Sequence, residues 1–278
     1  MGNGNIVNET VTTSTVRVNG AELYHEIRGN GPPLLFIMGM TGDGGAFQQV
    51  AEQLSDEFTV VTYHRRGNSL SPRPDGWTST TIDEQADDAA GLLGALGLAP
   101  AVVFGNSASA VILLNMMLRH PETLRGAFIH EPPLLPVLAN GAKIGAEFQA
   151  MVEHGLATTG PRGTMEGLFR LFFGDANDEN LDSELRQRML GNAEVFFHTE
   201  LPATMQYVPD ADALSACTVP ALVAAGIDNR GHWFHDSSAW AATQLGTPLQ
   251  ELSGAHTPYF DHPDALAEAI RSFALSID

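Results

Sequence analysis

The chain has a single cysteine, Cys217, among 278 residues. No intramolecular disulfide can form, which fits a reducing compartment or a secreted protein that does without bridges. Positive charge is scarce as well. Lysine and arginine total 14 against 33 aspartates and glutamates, a formal net charge of −19. A field of that sign repels phosphate backbones and anionic lipid, so nucleic acid and membrane surfaces are excluded as expected partners. It also disfavours anionic substrates unless a local pocket overrides it. No apolar run approaches membrane-spanning length. The opening Met1-Gly2-Asn3-Gly4-Asn5-Ile6 has no basic region and no apolar stretch of a secretory signal, and Ile6 replaces the Ser or Thr that myristoylation needs. These absences predict a cytoplasmic protein. No internal repeat or low-complexity segment is visible.

What is present suits one large α/β domain with an insertion: 44% hydrophobic and 17% charged residues over this length. Residues 11–28 alternate apolar and polar around Asn19-Gly20, a β-hairpin signal. Apolar runs at 33–38, 58–63, 102–105, 124–129, 219–226 and 248–252 read as strands. Helical spacing separates them at 46–54, 81–96, 108–118 and 263–273. Alternation of that kind predicts a mostly parallel sheet covered by helices on both faces, with ligands at the C-terminal strand ends. Residues 136–210 change character. Ile144, Phe148, Met151 and Val152 mark one helix face, and Met165 to Phe172 and Leu185 to Phe197 suggest further short helices with no strong strand between them. The expected division is a core over 1–135 and 211–278 with a helical insertion over 136–210.

The segment Phe104-Gly105-Asn106-Ser107-Ala108-Ser109-Ala110 joins a buried strand to a helix. A serine on so tight a turn is lifted clear of the sheet above a helix N-terminus, with small neighbours allowing the crowding. The same residues would serve a plain capping Ser at a helix start. In context the segment resembles the nucleophile elbow, G-x-S-x-G, of the α/β-hydrolase superfamily, with Ser109 in place of the second glycine. That resemblance implies an α/β-hydrolase fold, with residues 136–210 as a helical cap whose aromatic and methionine side chains line an apolar pocket. It also implies an oxyanion hole. Gly39-Met40-Thr41-Gly42-Asp43-Gly44-Gly45 follows the strand ending at Met38, where the superfamily carries His-Gly; the N–H of Met40 or of Gly39, paired with that of Ala108, is the candidate donor set. His64-Arg65-Arg66-Gly67-Asn68-Ser69-Leu70-Ser71 resembles the superfamily's D-x-R-G-x-G-x-S turn, for which a structural role is expected, with His64 a hydrogen-bonded turn residue.

A serine hydroxyl needs a base, and the base an orienting partner. His256, in a loop opened by Gly254 after the last strand, is the expected base. For the acid, two positions compete. Glu131 follows the strand after the Ser107 helix and precedes Pro132-Pro133, which restrict its backbone. Asp228 lies near Gly226, one residue before Asn229, which occupies the superfamily's usual acid position. Glu131 is preferred, with Asp228 kept as the alternative. His232 and His235 sit in a loop at strand ends and could approach the site, but no metal set accompanies them. More narrowly, His130-Glu131-Pro132-Pro133 and Gly254-Ala255-His256-Thr257-Pro258-Tyr259, with His262-Pro263-Asp264, are similar to segments of the zearalenone hydrolases, lactonases that use Ser, Glu and His. Phe197 stands where those enzymes have a substrate-contacting Trp. The expected function is hydrolysis of an ester or lactone of an apolar small molecule through an acyl-enzyme, without cofactor or metal. Phe196, Phe197 and Tyr259 are the candidate pocket residues. Carbon–carbon bond hydrolysis, cofactor-free perhydrolysis and simple ligand binding on the same fold are the alternatives. The sequence does not decide whether two copies pair as a homodimer.

Overall fold

The protein is described by a computed structural model covering residues 11–277. The reading of residues 1–6 therefore lies outside the described residues. Eight strands form one sheet: β1 Thr12–Val18, β2 Ala21–Arg28, β3 Pro33–Ile37, β4 Thr59–Tyr63, β5 Ala101–Asn106, β6 Leu124–His130, β7 Ala221–Gly226 and β8 Leu249–Leu252. Their order is β1-β2-β4-β3-β5-β6-β7-β8. The β1–β2 hairpin turns through Asn19 and Gly20, both at positive φ (47° and 79°), the turn that matches strand twist. β2 pairs antiparallel with β4, and every pairing from β4 to β8 is parallel.

Alternate residues of the central strands serve two cores. Leu35, Ile37 and Val103 face one way, into a cluster with α2 (Ile82–Leu96) and α3 (Ala108–Arg119). Leu34, Phe36 and Phe104 face the other, against α1 (Gln48–Leu54) and the C-terminal helix. β5 is buried along its whole length, so the residue that follows it emerges at the middle of the sheet edge. α2 starts on Thr81, whose hydroxyl accepts from Glu84 N at 3.0 Å, carries Asp83 and Glu84 in its first turn, and stops at Gly97 with φ 67°.

Between β6 and β7 the described elements are helical: α4 Gly141–Phe173, α5 Asp175–Asn180, α6 Ser183–Gly191, α7 Ala193–Val195, a π-helical turn at Phe196–Glu200, α8 Leu201–Gln206 and α9 Ala211–Ala216. The short helices expected at its start are one 33-residue helix, broken at Gly160 (φ 70°, ψ 178°) before Pro161. That glycine leaves the helical region and the proline restarts the helix at its first position, so the spacing on either side is out of phase. Met151, expected on the inner face, is 42% exposed. Met165, Phe169, Met189, Phe196 and Phe197 form a third apolar cluster with Met40 of the core. After β7 come α10 Trp233–Gln244, α11 Pro258–Asp261 and α12 Pro263–Ser276. No described helix is long and apolar enough to cross a membrane.

Candidate active site

Ser107 follows β5 directly and has φ 59°, ψ −130°. A non-glycine residue there is strained, by about 1–3 kcal/mol, and persists only where its surroundings hold it. They do. Ser107 N donates to His130 O at 3.0 Å on the neighbouring strand, and Ala110 N donates back to Ser107 O at 2.9 Å. Gly105 must lack a side chain, since a Cβ there would stand 2.6 Å from Ser109 O. Ser109 is wholly buried and fastens the turn: its hydroxyl donates to Asn106 O at 2.8 Å and accepts from Asn106 N at 2.9 Å. A glycine at 109 would lose both bonds, which is the physical reason for the departure from G-x-S-x-G.

Glu131 occupies the same level one strand over. It too has positive φ, 48°, although a residue before proline favours extended backbone. Its buried carboxylate meets four hydrogen bonds. His256 Nδ1 lies 2.7 Å from Oε2, Asn229 Nδ2 donates to both oxygens at 2.8 and 2.7 Å, and Gly226 N donates to Oε1 at 2.9 Å. Burial alone would raise the acid's pKa. The His256 hydrogen bond, the charges of His130 and His256 and the Asn229 amide overcome it, and hold Glu131 at about 2. Asp228 is exposed, and its backbone N–H donates to Gly254 O at 3.1 Å. The structure thus brings Glu131, not Asp228, to His256. Asn229 is the residue that sequence reasoning passed over. It was noted only as the position lacking an acid; a side-chain amide there is the donor that a carboxylate relocated to 131 requires.

His130 is fully buried. The Asn106 amide donates to its Nδ1 at 2.8 Å, so the proton of the neutral ring sits on Nε2. Burial pushes its pKa down to about 4, against the attraction of Glu131. Asn106 also donates to His256 O at 2.9 Å, so one amide ties the elbow, β6 and the His256 loop together. His256 uses Nδ1 for Glu131, and its ring stacks on Phe234 at 3.9 Å and 26°. Ser107 Oγ and His256 Nε2 are not hydrogen-bonded to each other here. Both residues line one cavity, and such contacts often close only when substrate is bound.

The loop after β3 lies against the elbow. A Cβ on Gly39 would stand 2.8 Å from Asn106 O and 3.5 Å from Ser107 Cβ, so only glycine allows this approach. Arg65 holds the loop from behind, donating from Nε to Met38 O at 2.8 Å and from Nη2 to Gly39 O at 2.7 Å. In a trans peptide the N–H points opposite to the C=O, so the N–H groups of Gly39 and Met40 face away from Arg65. Arg65 in turn forms a bidentate pair with Glu200 of the π-helical turn, both bonds 2.7 Å. His64 is a hydrogen-bonded turn residue: Nδ1 accepts from Leu70 N at 3.0 Å and Nε2 meets Asp43 Oδ1 at 3.0 Å.

Ser107 opens onto a cavity of about 650 Å³, the solvent at its mouth included. Met38, Met40, Ala108, Phe196 and Tyr259 line it with Ser107 and His256. Phe197 does not; it lines a neighbouring cavity. His232 and His235 line neither, and His235 pairs with Glu251 at 3.1 Å near the surface. Their neighbours Trp233 and Phe234 are the residues that reach the cavity. An aromatic Trp-Phe pair beyond a strand end is the signal in the sequence that marks them. Among the described residues no group of three or more His, Cys, Asp or Glu is placed to hold a metal ion.

Comparison with known proteins places this architecture in context. The sequence pattern of the alpha/beta hydrolase fold family matches residues 32–269, and the chain belongs to that family. An uncharacterized hydrolase, YraK, of Bacillus subtilis is 32% identical over 255 residues, covering 90% of this chain and 91% of its own. Zearalenone hydrolase of Bionectria ochroleuca is 26% identical over 268 residues, covering 93% and 96%. A thermophilic esterase from Thermogutta terrifontis superimposes with a TM-score of 0.75 at 21% identity, covering 96% of this chain and 99% of its own, a likeness of fold.

Proposed function

We propose that the chain is a serine hydrolase of uncharged, apolar carboxylic esters or lactones. The observation that carries this is the buried Glu131–His256 pair at 2.7 Å, set on the wall of the same cavity as the strained Ser107. In this reading Ser107 Oγ attacks the carbonyl carbon and its proton passes to His256 Nε2. Glu131 fixes the Nδ1–H tautomer and balances the imidazolium. The N–H groups of Ala108 and of Met40 or Gly39 take the negative charge of the tetrahedral intermediate; loss of one such donor typically lowers kcat on the order of 10²–10³-fold. His256 returns the proton to the leaving alkoxide, then draws one from water to release the acyl group. In a lactone both products are one opened chain. The helices of 136–210 act as the cap that supplies the apolar wall, with 1–135 and 211–278 as the core. The hydrolase named for zearalenone, matched along nearly its whole length, supports hydrolysis of a small molecule at this site.

The test is covalent labelling with a fluorophosphonate together with a p-nitrophenyl ester assay. The parent protein is expected to label at Ser107 and to release nitrophenol in a burst. Ser107→Ala should do neither while keeping the parent's melting temperature. Equal turnover by the alanine variant would remove the proposal.

A further inference from the structure

A second and larger cavity, about 1,450 Å³ with the solvent at its open mouth included, lies between the first half of α4, the turn after β6 and α8. Phe148, Leu201 and Met205 line both cavities, so the two adjoin at these three side chains. The π-helical turn sits at this partition. Its consecutive residues serve different spaces, Phe196 the inner and Phe197 the outer. The outer space stays open because α4 carries Gly145 on its wall; a Cβ there would meet only Leu135 Cδ1, at 3.7 Å. No lysine, arginine or histidine lines it, and its one charged side chain is Glu153.

We propose that this outer cavity is the distal half of the substrate site. It takes an uncharged apolar chain or ring that extends past the reacting carbonyl, threaded between Phe148, Leu201 and Met205. The proposal rests on the hydrolase reading of Ser107. The inner cavity suits the carbonyl and its immediate substituents, and a larger substrate has its remaining apolar surface covered in the outer one. Each methylene moved from water there adds favourable transfer free energy. An anionic tail is excluded on two counts: no cation meets it, and Glu153 and the net charge of −19 oppose it.

Gly145→Phe is the sharp variant. Gly145 has ordinary helical backbone, so a side chain fills the cavity without backbone strain and replaces a poor helix former. Hydrolysis of p-nitrophenyl esters from acetate to dodecanoate gives the readout. The parent is expected to show kcat/KM rising with chain length, and Gly145→Phe to lower the dodecanoate-to-acetate ratio at least tenfold. Ala150→Phe, exposed on the same helix and lining neither cavity, should keep the parent ratio. A second arm needs no turnover: calorimetric binding of tridecan-2-one, an unreactive neutral carbonyl compound, should weaken at least tenfold in Gly145→Phe. Ser107-dependent hydrolysis with an unchanged ratio in Gly145→Phe would overturn the distal site and leave the hydrolase reading standing. Ketone binding weakened by Gly145→Phe without hydrolysis of any ester would do the reverse. Absence of ketone binding to the parent overturns the distal site.

Discussion

The molecule holds two buried carboxylate–imidazole pairs, and they differ in what the second ring nitrogen does. In Glu131–His256 the carboxylate meets Nδ1 at 2.7 Å, and Nε2 has no hydrogen-bond partner among the described residues, on a ring that lines the Ser107 cavity. In Asp43–His64 both nitrogens are engaged, Nε2 by Asp43 at 3.0 Å and Nδ1 by Leu70 N at 3.0 Å, and neither residue lines the Ser107 cavity or its neighbour. Asp43 also accepts from Ser69 Oγ at 2.7 Å, Arg188 Nε at 2.9 Å and Gly45 N at 2.9 Å. Burial would raise its pKa, but the hydrogen bonds from His64, Arg188 and Ser69 hold it well below the carboxylate range. The pairing alone therefore does not define a reactive site. In the proposed reading, a nitrogen left available on the wall of the cavity that holds a strained hydroxyl does, whereas a fully bonded pair is a joint between the loop after β3, the turn after β4 and α6.

The largest effect that could break this distinction comes from neutralising each carboxylate in turn. Glu131→Gln should lower kcat on the order of 10³–10⁴-fold, the scale for loss of the group that fixes a histidine tautomer. Asp43→Asn should lower kcat less than tenfold. It leaves Arg188 with a weaker partner, about 1–3 kcal/mol of stability, which calorimetry reads as a melting temperature lower by a few degrees. Equal losses of kcat in the two variants would mean that the Asp43 pair belongs to the chemistry.

A smaller effect on rate, with a larger one on stability, is expected at Glu200. This residue connects the helical insertion to the loop after β3 through Arg65, as Arg188 does through Asp43. Glu200→Gln leaves a buried guanidinium without its counter-charge, and removing one partner of such a pair typically destabilises by about 3–5 kcal/mol. Denaturant titration measures that loss. Because Arg65 also holds the carbonyls of Met38 and Gly39, kcat should fall roughly tenfold with KM moving less, the signature of a lost transition-state donor. A rise in KM alone would make the insertion a binding wall with no hold on the donors.

Much of this was legible in the sequence, and the physical reason differs by region. The sheet was readable because period-2 burial and Gly, Pro and Asn turns are local signals; Asn19-Gly20 turned the hairpin as its chemistry requires. The elbow was readable because the crowding at Gly105 and Ser107 restricts residue type over a few positions. Two partners of Glu131 were not, since Gly226 and Asn229 lie 95 and 98 residues away and meet it only through strand order; His256, 125 residues away, was legible through the family resemblance of its loop. Between β6 and β7 the described elements are helical, but their detail was not legible. Their side chains face two cavities and a core, so one apolar stripe does not report what each residue touches; Phe196 and Phe197, adjacent in sequence, line different spaces.

The finest test of the contrast uses acid. Glu131 has a folded-state pKa of about 2 against an ordinary value of 4.5. A depressed acid contributes stability that is fully present above its unfolded value and lost as pH falls through the folded one, so this pair's share disappears between about 4.5 and about 2. Asn229→Ala removes two of the four hydrogen bonds that lower the pKa. Its folded value should move up toward the unfolded one, and the variant should have less to lose on acidification. The parent is then the more stable protein at neutral pH, and the gap in unfolding free energy narrows steadily from pH 5 to pH 2. Asn229→Ala should also cost a few-fold in kcat, since a less firmly held carboxylate orients His256 less well. A gap that stays constant with pH would show that Asn229 packs beside Glu131 without stabilising its charge, and the two pairs would then differ only in where they sit.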